Sequence, residues 1–146
     1  MTAPMARAGD LEWINGYIGV PYKPNGRDRD GWDCWGLVLA VYRERLGLEL
    51  PNYQWQAPYS PVDRLRGFSK ACETLLGGLT LELERPELWA LGMVYASHRP
   101  HHIGVVVGSP AVQGVLHAAR YGGTIFESVD RFSRHNARVK WLRWRR

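Results

Sequence analysis

The stretch GWDCWGLVLAVYRERLG, residues 31–47, constrains the fold more than any other part of the 146-residue chain. Trp35, Leu37, Val38, Leu39, Ala40, Val41 and Tyr42 follow Cys34 with one glycine among them. A helix through them is apolar on nearly every side over its first two turns. Asp33 stands where an N-cap side chain accepts the first free N–H groups, and Gly47 where a left-handed residue ends a helix. The predicted helix runs from Cys34 to about Leu46, with Arg43, Glu44 and Arg45 emerging near its end. A helix with so little polar surface is stable only when other elements enclose it. The chain must therefore supply a second layer.

The C-terminal half provides it. MVYAS, HIGVVVG, GVLHAA, TIFESV and RVKWLRW are short β-branched or aromatic runs separated by Gly, Pro, Asn or Ser. Such spacing predicts an antiparallel meander. Helices first and strands second give an α+β class, with the 34–46 helix on one sheet face. The length suits one domain over residues 1–146, large enough to fold without disulfide staples. Upstream, Asp10 is placed to cap a first helix carrying Leu11, Ile14 and Ile18 on one stripe, and GVPYKPNGRDRDG reads as loop. Ser60, Pro61 and Asp63 form a cap, a first-turn proline and an acidic third position for a helix to about Leu76. Cys72 falls inside that helix as a core thiol.

Cys34 has a different position. At the first turn of a helix the unpaired N–H groups and the positive end of the dipole favour an anion, which predicts a lowered thiol pKa. A cysteine nucleophile needs a base within hydrogen-bond reach, and the base needs a third group to fix its tautomer. His102 opens the strand HIGVVVG and His117 lies within GVLHAA, so a hairpin sets them on adjacent strands of one sheet. Cys34, His102 and His117 are the required types in order. A structural imidazole buried among apolar neighbours is the competing account of each histidine.

PYKPNGRDRDGWDCWGLV resembles the active-site segment of the NlpC/P60 family of cysteine peptidases, and HHIGVVVG followed by VLHAA resembles its second signature. The matching blocks lie between about residues 13 and 127, with little distinctive in 48–90. The resemblance implies a papain-like α+β fold, with Cys34 as nucleophile, His102 as general base and His117 as the residue orienting that base. It also implies a role for Tyr22 at the acyl-transfer site, with Asp33 and Trp35 as neighbouring positioning residues. The implied substrate is the peptide stem of peptidoglycan. Two departures stand out: Trp35 replaces the usual serine after the cysteine, and Met93 the usual aspartate after Gly92. The DCWGLV form is similar to the phage-tail branch of the family, which implies tail-tip or baseplate proteins as partners. The same resemblance leaves a structural tail protein with a vestigial site as the second reading.

Composition bounds the remainder. MTAPMARAGDLEW has no apolar core of a secretory signal and no run reaches the ~18 residues of a membrane span, so synthesis in the cytoplasm is the expectation, and the phage-tail resemblance implies that this is a host's and that the chain resides in a virion tail tip. No cofactor or metal is expected: SHRPHH with Cys34 and His117 offers zinc-ligand types without a second cysteine or carboxylate at ligand spacing. Net charge is +5, and Arg131 to Arg146 carries seven Lys or Arg and no Asp or Glu. A solvated edge strand or a protein-docking end accounts for this charge, and nucleic-acid binding is not expected from one charged strand.

Overall fold

The computed structural model describes residues 11–53, 68, 70–73, 75–136 and 138–145. Asp10, Ser60, Pro61 and Asp63, with the helix starts assigned to them, lie outside these residues. Among these residues the bounded strands and α-helices are β1 (Arg27–Asp28), β2 (Gly31–Trp32), α1 (Cys34–Val41), β3 (Thr80–Leu83), β4 (Leu91–Ala96), β5 (Arg99–Gly108), β6 (Gln113–Ala119), β7 (Gly123–Ser128), α2 (Val129–His135) and β8 (Arg138–Trp144).

Every residue of α1 is buried, as its sequence requires. Burial of each Leu or Val there stabilises by roughly 1.5–3 kcal/mol relative to exposure. The helix widens into a π-helical turn at Tyr42–Leu46 and stops at Gly47, whose φ of 66° is the left-handed C′ conformation. Asp33 is the cap, its side chain accepting the Gly36 N–H. The segment before it contains the β1–β2 hairpin, where the sequence indicated only loop. That hairpin packs tightly on the helix start. A Cβ on Gly36 would lie 2.3 Å from the Gly26 carbonyl oxygen, and one on Gly26 2.1 Å from that of Gly31.

The main sheet has six strands in the order β3-β8-β4-β5-β6-β7, with every pairing antiparallel. This is the expected α+β arrangement, a buried helix on an antiparallel sheet. β4 to β7 form the anticipated meander, but β8 does not continue it. It runs back between β3 and β4, so the basic C-terminal strand is interior rather than an edge. Its charge is largely met at home. Arg143 makes a two-bond pair with Glu87 at 2.6 and 2.9 Å, and Arg138 and Lys140 each lie 5.3 Å from the Tyr95 ring centre.

Two apolar clusters flank the sheet. The larger contains α1, Cys72 and the inward residues Met93, Ile103, Val105, Val107, Leu116 and Ala118. The smaller, on the other face, gathers Val94, Val106, Val115 and Trp141 around Phe132 of α2. The first-helix stripe is only partly present: Ile14 is buried, but Ile18 is 43% exposed, and the chain forms a 3₁₀ turn at Trp13–Gly16. No helix among the described residues is long and apolar enough to cross a membrane.

Candidate active site

Asp33 organises the approach to the thiol. Its Oδ1 accepts from the Gly36 N–H at 2.8 Å and from Arg27 Nη1 at 2.8 Å, and its Oδ2 from the Asn25 N–H at 3.0 Å. Arg27 also donates to the carbonyls of Gly26 and Tyr53 and to Asn52. The hairpin, the crossing segment and the helix start are thus tied through one buried ion pair. Trp35 is almost wholly buried, donates its indole N–H to the Pro51 carbonyl at 2.8 Å and packs on Tyr53. Asp33 and Trp35 therefore position the helix tip; neither presents its side chain to solvent. Tyr22 is half-buried and forms a bridge with Trp32, two residues before the cysteine.

Cys34 is 7% exposed, at the first position of α1. Backbone N–H groups of Ile103 and Trp35 point at its sulfur. Ile103 belongs to a special stretch of β5. The β5–β6 ladder runs from Gly108–Gln113 to Val105–Leu116, while the β4–β5 ladder continues down to Arg99. The sulfur thus meets β5 beyond the end of its pairing with β6, immediately after His102. The imidazole of His102 leaves the strand toward the opposite cluster, its ring centre 6.5 Å from that of Phe132.

The two histidines converge. His102 Nε2 and His117 Nδ1 are 2.9 Å apart, and His117 Nε2 is 3.2 Å from Glu127 Oε1. Strand alternation explains the meeting. His117 lies opposite Ile125 on β7, so Glu127, two residues on, shares its face. Glu127 had no place in the sequence reading. A carboxylate in TIFES at the parity of a strand histidine is a signal for it, but only after the β6–β7 register is known. His98 and His101 are exposed, His101 on β5 itself rather than in a loop. Among the described residues no group of three or more His, Cys, Asp and Glu could hold a metal ion.

Electrostatics at the thiol depart from the helix-dipole expectation. Burial, followed by the Asp33 carboxylate, pushes the Cys34 thiol up to about 12, against smaller opposing effects from the Ile103 and Trp35 N–H groups and Arg27. The capping carboxylate occupies the positive end of the helix, and desolvation penalises the anion. Burial, with His117 and His101 nearby, lowers His102 to about 3. Burial also lowers His117, with Glu127 opposing. Among the described residues no hydrogen bond joins Sγ to the His102 ring. Burial thus favours the neutral form of both the Cys34 thiol and the His102 imidazole.

This state has a measurable signature. Alkylation of Cys34 by iodoacetamide should accelerate about tenfold per pH unit from pH 7 to pH 10, because the reactive thiolate is the minor form throughout. A rate already level between pH 6 and 8, followed by mass spectrometry of the Cys34 peptide, would instead reveal a preformed thiolate. Cys72, 1% exposed and with its thiol pushed up by burial, should label more slowly at every pH.

A cysteine at the tip of a buried helix, laid on an antiparallel sheet that pairs two histidines, defines an α+β domain with its thiol at the helix start. The NlpC/P60 family model matches residues 19–137, and the chain belongs to the NlpC/P60 family, whose members are cysteine peptidases and peptidoglycan hydrolases. Among solved structures, it is similar to the NlpC/p60 domain of the peptidoglycan hydrolase SagA. The TM-score is 0.55 at 18% identity, over 92% of this chain and 95% of that one. A comparison with curated proteins finds no match.

Proposed function

We propose that this chain is a peptidoglycan endopeptidase that cleaves the stem peptide through Cys34, His102 and His117, and that it acts as part of a phage tail tip. The observation that carries the proposal is the 2.9 Å contact between His102 Nε2 and His117 Nδ1, made from the strand whose next residue, Ile103, directs its N–H at the helix-tip cysteine. That bond occupies Nε2 and leaves Nδ1 of His102 to take a proton. Cys34 Sγ attacks the scissile carbonyl as its proton passes to His102 Nδ1. The resting thiol is neutral, so the transfer accompanies the attack. The oxyanion is met by N–H groups at the tip of α1 and by the Tyr22 hydroxyl, one such donor being worth roughly 3 kcal/mol. The Gly36 N–H is engaged by Asp33 and the Trp35 N–H by the resting sulfur, so the Cys34 N–H is the available one in the resting site. Protonated His102 then gives its proton to the leaving amine, and water clears the acyl-enzyme.

The tail-tip assignment is supported by the DCWGLV form alone, and places the hydrolase where a wall must be opened for DNA delivery. Digestion of purified sacculi followed by mass spectrometry of the muropeptides tests the activity. Fragments should gain one water across a single stem-peptide bond. Unaltered muropeptides would favour the second reading, a structural tail protein with a vestigial site. Detection of the chain in purified particles tests its location.

A further inference from the structure

The histidine pair does not end at His117. Glu127 continues it, with Oε1 3.2 Å from His117 Nε2 and Oε2 3.7 Å from Arg131 Nε in the first turn of α2. The Glu127 side chain is 14% exposed, so its charge is mostly withdrawn from water. The arrangement fixes every proton along the row. An ionised carboxylate only accepts hydrogen bonds, and a neutral imidazole carries one N–H. His117 must therefore donate from Nε2, which makes its Nδ1 a lone pair. His102 must then donate from Nε2, which makes its own Nδ1 a lone pair. The opposite order, with His117 donating from Nδ1, would leave His102 protonated at Nδ1 and unable to accept from a thiol.

We propose that Glu127 is a positioning residue that sets the tautomer of His117 and, through it, makes Nδ1 the basic nitrogen of His102. Arg131, 65% exposed, lies 3.7 Å from the second carboxylate oxygen as a counter-charge. The tautomer assignment stands on geometry. Its catalytic consequence rests on the peptidase proposed above.

The test uses the full chain with ¹⁵N-labelled histidine, comparing wild type with Glu127→Gln, Glu127→Leu and Glu127→Asp by ring ¹⁵N–¹H correlation at neutral pH. Glutamine preserves size, so its spectrum stands even where leucine disturbs the fold. Wild type should show N–H at Nε2 of both His102 and His117. In Glu127→Gln, which can turn its amide to donate, and in Glu127→Leu, the patterns of both rings should become mixed or reversed. Glu127→Asp should restore them in part. Sacculus hydrolysis should fall roughly 10- to 100-fold in kcat with little change in KM, the scale seen when an orienting partner is removed. His117 keeping its N–H at Nε2 in both Glu127→Gln and Glu127→Leu overturns the proposal. A wild-type protein with the expected tautomers and no hydrolysis of sacculi upholds the Glu127 assignment and counts against the peptidase.

Discussion

Replacing Cys34 with alanine is expected to reduce hydrolysis of purified sacculi to the level of an enzyme-free blank, a loss on the order of 1,000-fold or more. On the proposed mechanism no other group at the helix tip replaces the thiol: Asp33 is held by three hydrogen bonds and Trp35 is enclosed. The same change should leave the fold intact. Alanine is compatible with the first turn of α1 and removes only one sulfur from a position that already touches solvent, so the cost is about 1 kcal/mol. For a chain of this size that lowers Tm by about 2–4 °C. Circular dichroism and a thermal melt separate this from unfolding. Wild-type turnover by a folded Cys34→Ala protein would remove Cys34 from the mechanism altogether.

The largest effect on stability is expected at Arg27. Its guanidinium is the partner of Asp33 at 2.8 Å, the Asp33 side chain is 3% exposed, and the same group binds two carbonyls. Arg27→Ala removes the counter-charge and keeps the buried carboxylate, which costs roughly 3–5 kcal/mol. That is a large share of the 5–15 kcal/mol typical of a native domain. Urea unfolding should show a lower midpoint with an unchanged slope. The double variant Arg27→Ala with Asp33→Ala should lose distinctly less than the sum of the two single changes, since neither charge is then left alone. Strict additivity, or a single-variant cost below about 1 kcal/mol, would show that the pair does not secure the helix tip.

How much of this was legible in the sequence follows from which forces are local. The Cys34 helix was readable because seven apolar side chains within eight positions leave one outcome, burial. The five C-terminal runs were readable because β-branched residues between turn signals mark strands whatever their partners. β3 was not: TLEL alternates charge with apolar residues after Gly77-Gly78, and only pairing with β8 makes it a strand. α2 went unseen because a single buried residue, Phe132, anchors it, although its Ser128 cap was open to recognition. The interior place of β8 is a matter of topology, which charge along the strand does not report. At the site, Cys34, His102 and His117 were readable as types in order, and the family resemblance gave them roles. Glu127 depended on register. The thiol's electrostatics depended on the Asp33 carboxylate and on depth, and these outweigh a dipole that the sequence alone makes visible.

The placement of β8 also has a bearing on how such a chain comes to maturity. Both neighbours of this strand, β3 and β4, precede it, and its register spans Trp141–Trp144 against β3 and Arg138–Leu142 against β4. Until those residues arrive, two open ladders wait side by side with nothing between them. Cooperative closure is therefore deferred to the distal part of the polypeptide, and a product terminated before Arg138 keeps its thiol and imidazoles yet exposes two unsatisfied strand borders, the kind of surface that recruits other chains.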